Sequence, residues 1–92
     1  MAKKTVDYNR SGVSQIPQDK PVVYRIKDGA GNTNYVGTAK RGRAQERIQE
    51  HLRAGNIPGD KVQIEQKASI QEARNTEARV IARSKPKHNK NG

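Results

Sequence analysis

The chain has no cysteine, phenylalanine or tryptophan, and its only aromatics of the Phe/Trp/Tyr type are three tyrosines. Without cysteine there can be no disulfide framework and no thiolate metal site. Two histidines without cysteine make a structural zinc site a poor reading too. Acidic residues are scarce: nine Asp and Glu against nineteen Lys and Arg leave a formal charge of +10 on 92 residues. A small domain this cationic carries a positive field, for which phosphate backbones are the obvious partner. No apolar run approaches the ~18 residues of a membrane span, and no basic amphipathic helix shows a bulky apolar face. The N-terminus lacks a secretory apolar core, so the expected location is cytoplasmic, with no membrane partner. No glycine loop ends in Lys-Ser/Thr, no His-Glu-x-x-His occurs and no nucleophile elbow is present.

What remains is one small domain with 30% hydrophobic residues. Such a chain buries about 60–65% of its unfolded surface, so its stability is expected near the low end of the usual ~5–15 kcal/mol. Residues 1–20 are polar and broken by Ser11-Gly12 and Pro17, and they are expected to be a flexible arm. Residues 21–92 are expected to hold the domain. Val22 to Lys27 and Thr33 to Gly37 are rich in valine and tyrosine and flank the turn cluster Asp28-Gly29-Ala30-Gly31-Asn32, which predicts an antiparallel hairpin. Ala44, Ile48 and Leu52 recur at helical spacing, predicting a helix entered at Lys40 to Arg43 and running to about Arg53, with Gly55 and Pro58 as stops. Lys61 to Gln66 alternates as a half-buried strand. Ser69 and Glu72 form a capping-box pattern at the start of a helix reaching about Ser84, with Ile70, Ala73, Val80 and Ile81 on one face. The order predicts an α+β fold in which helices flank a small three-stranded antiparallel sheet.

Several polar side chains sit where chemistry is possible. Glu77 falls on the apolar face of the last helix, where a carboxylate needs a partner. Either it pairs with a nearby arginine, or it is a hard oxygen ligand for Mg²⁺. Arg47 and His51, at i and i+4, share a helix face. They are either part of a solvated basic surface, or a guanidinium gripping a scissile phosphate beside an imidazole able to bind water or take a proton. Tyr24 and Tyr35 are either amphipathic sheet residues, or phenols that a bound cation turns into activators of water.

These residues resemble the GIY-YIG nuclease domain family. Val22-Val23-Tyr24 stands for the first name-giving motif and Tyr35-Val36-Gly37 for the second. Arg47 and His51 follow on the next helix, Glu77 on the last, and Pro86-Lys87-His88-Asn89 in the tail, so the likeness spans about Pro21 to Asn91. There are departures: Val22 replaces a glycine, Thr38 stands where some relatives have a lysine, and the stretch between Gly37 and Arg47 is slightly long, leaving Arg43 as an alternative. The resemblance implies metal-dependent cleavage of DNA, with RNA as a second possible partner. It implies Glu77 as ligand to one Mg²⁺ or Mn²⁺, Arg47 as stabiliser of the transition state and either tyrosine as activator of water. His51 and Asn89 would position water and phosphate. Lys40, Arg41, Arg43, Arg47, Lys85 and Lys87 are the candidate backbone contacts. A nucleic-acid-binding module that keeps the fold without cleaving is the alternative, tested by binding that falls steeply with salt and shows no cleavage.

Overall fold

The structure, a computed structural model, describes residues 3–55 and 57–84. Seven elements follow in order: β1 (Lys3–Asp7), α1 (Arg10–Val13), β2 (Val22–Lys27), β3 (Thr33–Ala39), α2 (Ala44–Ala54), β4 (Lys61–Gln66) and α3 (Ile70–Ser84). The strands form one antiparallel sheet in the order β1-β4-β2-β3, which leaves β1 and β3 at the edges. The predicted hairpin is β2 and β3. Asp28 holds its turn, accepting from the backbone N–H groups of Ala30 and Asn32 at 2.9 Å each.

Strand alternation sends successive side chains to opposite faces, so the sheet has two different cores. Val6, Val22, Tyr24, Ile26, Val62 and Ile64 turn to one face, where they meet Val13, Ile16 and the Ala44, Ile48 and Leu52 stripe of α2. Val23 and Val36 turn to the other, where α3 covers them with Ala73, Ile70, Val80 and Ile81. The α3 face is also polar. The buried Glu65 carboxylate accepts from Lys67 Nζ at 2.7 Å and lies 3.7 Å from Arg25, so no buried carboxylate stands alone there.

The sheet has four strands, not three. The flexible arm expected over residues 1–20 is also wrong over the described part of that segment. β1 pairs with β4 in the register Val6↔Val62, α1 packs behind it, and Val6, Val13 and Ile16 are buried. The reason lies in length. Five residues with one buried valine carry no period-2 pattern, and α1 is a single turn with its own cap, Asn9 accepting from the Gly12 N–H at 2.7 Å. The second hairpin strand runs to Ala39, and α2 starts at Ala44, later than expected. β4 and α3 match their predicted spans, and the Ser69 hydroxyl accepts from the Glu72 N–H at 3.2 Å. No helix among the described residues is long and apolar enough to cross a membrane.

Candidate active site

Tyr24 lies opposite Gly37 in the β2–β3 register, and this pair builds the site. A Cβ at position 37 would stand 2.5 Å from both Cζ and the hydroxyl oxygen of Tyr24. The phenol therefore lies across the backbone of the edge strand, in space that only glycine leaves open. Tyr24 is 0% exposed, and Tyr35 is half-buried beside it with ring centroids 6.0 Å apart.

His51 closes the group from α2. Its ring meets Tyr35 edge-on at 4.8 Å, and its Nε2 is 2.9 Å from the Tyr24 hydroxyl. Burial pushes the His51 pKa down, and the neighbouring Arg47 charge pushes the same way, so the imidazole is neutral near pH 7. Burial drives the Tyr24 pKa far upward, with the adjacent Tyr35 phenol adding to it, so that phenol keeps its proton. These two states assign the bond: Tyr24 O–H donates and His51 Nε2 accepts.

Charge converges on this phenol from two helices on opposite faces of the sheet. Arg47 on α2 favours ionised Tyr24, whereas Glu77 on α3 opposes it. Arg47 is exposed and lies 3.8 Å from Glu50. Arg43, the alternative in sequence, immediately precedes α2 and pairs with Glu46 at 2.7 Å, and its charge is not among those acting on Tyr24. Glu77 is half-buried, and desolvation raises its pKa while Arg74, one turn earlier, lowers it. A cleft of about 360 Å³ at the end of β3 joins the two helices, lined among others by Thr38, Lys40, Arg43, Arg47, Ile70 and Arg74. Arg41 is exposed beside it but does not line it.

The structure brings Tyr24, Tyr35 and His51 into contact and sets Arg47 and Glu77 close enough for their charges to act on Tyr24, but of these five only Arg47 lines the cleft. Asn89, Lys85 and Lys87 lie outside the described residues. Arg74 was missed in sequence, although its i, i+3 spacing from Glu77 was a usable signal. The space-making role of Gly37 was also missed, because a glycine's reason is visible only once its cross-strand partner is known.

The sheet, the flanking helices and the paired tyrosine motifs are those of a domain similar to the GIY-YIG nuclease domain family. Among solved structures, it is similar to the N-terminal GIY-YIG endonuclease domain of UvrC from Thermotoga maritima bound to its catalytic divalent cation, magnesium. The TM-score is 0.71 at 28% identity over 87% of this chain and 93% of that one. Two cation-bound point mutants of the same Thermotoga maritima domain match equally well at a TM-score of 0.71. One is a tyrosine-to-phenylalanine variant, 28% identical over 87% and 92% of the chains, and the other an asparagine-to-alanine variant, 27% identical over the same shares. No family model matches the sequence, and no curated protein matches it.

Proposed function

We propose that the chain is a metal-dependent DNA endonuclease that hydrolyses a phosphodiester. The observation that carries this reading is the Tyr24 phenol, held to a neutral His51 and felt by both Arg47 and Glu77.

The donor set suits a single hydrated cation. Glu77 is a hard oxygen donor whose pKa is raised by partial burial, with the Arg74 charge opposing that rise. No group of three or more His, Asp or Glu side chains gathers among the described residues. Mg²⁺ is commonly held by one or two carboxylates with waters and substrate phosphate completing its shell. Glu77 would hold it, and when bound the ion supplies Lewis-acid and template chemistry at a phosphate oxygen.

The chain's own groups do the rest. Arg47, exposed at the rim, binds the scissile phosphate and neutralises charge as the transition state forms. Tyr35 is the phenol that meets water, since it is half exposed and Tyr24 is closed off. Its hydroxyl orients the attacking water. His51 has an imine nitrogen able to take a proton, and the water's proton would reach it by way of the Tyr35 and Tyr24 hydroxyls, each passing on its own proton as it receives another. Lys40 and Arg43 track the flanking backbone, and Asn89 is assigned to positioning water and phosphate. Thr38 lines the cleft where a lysine would otherwise assist the phenol, so His51 carries that burden alone.

The test is cleavage of blunt, nicked and branched DNA with Mn²⁺ and with chelator. Glu77→Gln should lower the rate by about 10²–10³-fold or more, the scale of losing one transition-state stabiliser. If Glu77→Gln cuts as fast as the parent, the proposal fails.

A further inference from the structure

The proposed catalytic groups use one side of α2. On the other side a second groove, of about 540 Å³, runs between that helix and the β1–α1 segment, lined by Tyr8, Asn9, Arg10, Gln49, Leu52 and Arg53. Gln49, Leu52 and Arg53 fall at i, i+3 and i+4, one stripe of the helix, whereas Arg43, Arg47 and Glu50 form the stripe that faces the cleft. The two grooves are thus separated by one helix, about 10–12 Å across.

Their chemistry differs. The cleft holds both signs of charge, with Arg43 and Arg47 paired to Glu46 and Glu50. The second groove has two arginines and no acidic residue in its lining, and neither Arg10 nor Arg53 is ion-paired among the described residues. Its apolar part is the half-buried Tyr8 and Leu52. Tyr8 is fixed, its hydroxyl donating to the Ile57 carbonyl at 3.0 Å, so its ring is held in place before anything binds. An immobile aromatic ring beside unpaired guanidinium groups fits a nucleotide, whose base has a face to stack and whose phosphate needs a cation. Asn9 and Gln49 add amides at the rim, the net charge of +10 favours a polyanionic strand over a neutral or basic peptide, and the fixed ring of Tyr8 offers a base a face that an acidic peptide would leave unused.

We propose that this groove is a subsite for one unpaired nucleotide of the nucleic acid that the chain acts on, its base against Tyr8 and Leu52 and its phosphate between Arg10 and Arg53. The inference rests on the nuclease reading for the identity of the strand. It makes the chain a reader of junctions between duplex and single strand: duplex lies at the cleft, and an unpaired end crosses α2.

The test is fluorescence anisotropy on the full chain without metal, which separates binding from cleavage. The probes are a blunt DNA duplex and the same duplex carrying a short single-stranded overhang. The parent should bind the overhang duplex roughly ten-fold more tightly, the scale of one stacked base. Tyr8→Leu should bring the ratio of the two affinities close to one. The Arg10→Ala/Arg53→Ala variant should do the same, and because both side chains are exposed it leaves the fold intact. A parent without overhang preference overturns the proposal, as does a double-arginine variant that keeps the parent's ratio. Glu77→Gln should retain the full preference. Intact preference in a parent that never cleaves DNA sinks the nuclease reading and leaves the groove standing, whereas cleavage without preference does the reverse.

Discussion

Replacing Gly37 by alanine tests the packing on which the site depends. The added Cβ would lie 2.5 Å from Tyr24 Cζ and 2.5 Å from its hydroxyl oxygen, against the ~3.5–4.0 Å at which carbon atoms attract. More than an ångström must be found. Tyr24 cannot easily supply it, being 0% exposed with its hydroxyl fixed to His51 at 2.9 Å. β3 cannot supply it without loosening its ladder with β2. Overpacking of this kind costs ~1–3 kcal/mol, and losing the Tyr24–His51 hydrogen bond adds ~1 kcal/mol. A domain of this size loses ~4–8 °C per kcal/mol, so Gly37→Ala should melt on the order of 10–25 °C below the parent. Thermal unfolding followed by circular dichroism measures this. Tyr24→Leu supplies the control, since leucine ends short of the clash; in that background Gly37→Ala should cost little, giving a large coupling in the double-mutant cycle. A Gly37→Ala protein that melts with the parent, or one whose cost is the same in both backgrounds, refutes the contact.

Four further outcomes follow from the same structure. Tyr24→Phe removes only the hydroxyl that His51 accepts, so it should cost about 0.5–1.5 kcal/mol, and a variant as stable as the parent would show that the bond contributes nothing. Glu77 has a folded pKa above its ordinary value, so the native state holds that proton more tightly than the unfolded chain. Stability therefore falls as pH rises from the ordinary carboxyl range through the raised value, and metal-free Glu77→Gln should melt above the parent at pH 7 but with it in acid; the opposite order in a melting series across pH gives the wrong sign. His51 is shifted down, so stability falls as pH drops below about 6.5, where the unfolded imidazole protonates first. His51→Gln should flatten that part of the profile, and an unchanged slope would place the titrating group elsewhere. Deleting residues 1–16 should unfold the domain in circular dichroism, because Val6, Val13 and Ile16 each contribute about 1.5–3 kcal/mol of burial, a sum close to the whole stability of a small domain. A truncated chain that still melts cooperatively would restore the arm reading.

What was legible in the sequence was what is periodic or locally punctuated. Val22-Val23-Tyr24 and Tyr35-Val36-Gly37 around a glycine-rich turn gave the hairpin, Ala44, Ile48 and Leu52 gave α2, and Ser69 marked the start of α3. β1 was not legible. A strand whose inward side chains amount to one valine is made by its partner β4, through pairing that no local pattern encodes. Candidate site residues could be nominated because chemistry restricts them to few types. Their electrostatic states were not legible, since whether Tyr24 is dry or wet depends on burial that the tertiary fold decides. Tyr8 was the least legible of the tyrosines. Its neighbours in the groove come from α2, some forty residues downstream.

The position of the site at a sheet edge has a physical cause. α2 and α3 cover opposite faces, and a sheet separates what its faces carry. Arg47 and Glu77 can act on one phenol only where the sheet ends, and β3 is an edge strand. Tyr24 is rooted on the neighbouring strand, in the dry core, and its ring reaches the edge by lying over Gly37. The tyrosine of the first motif and the glycine of the second are therefore one device: an interior anchor and the gap that it crosses. A slip of one residue in the hairpin would bring Val36 or Thr38 opposite Tyr24 and close the gap, which ties the spacing of the two motifs to the chemistry. An exposed edge is ordinarily a liability for aggregation. Here its end is taken up by a cleft in which Lys40, Arg43, Arg47 and Arg74 outnumber Glu46 and Glu50, a positive excess that disfavours edge-to-edge pairing with a second copy of the chain.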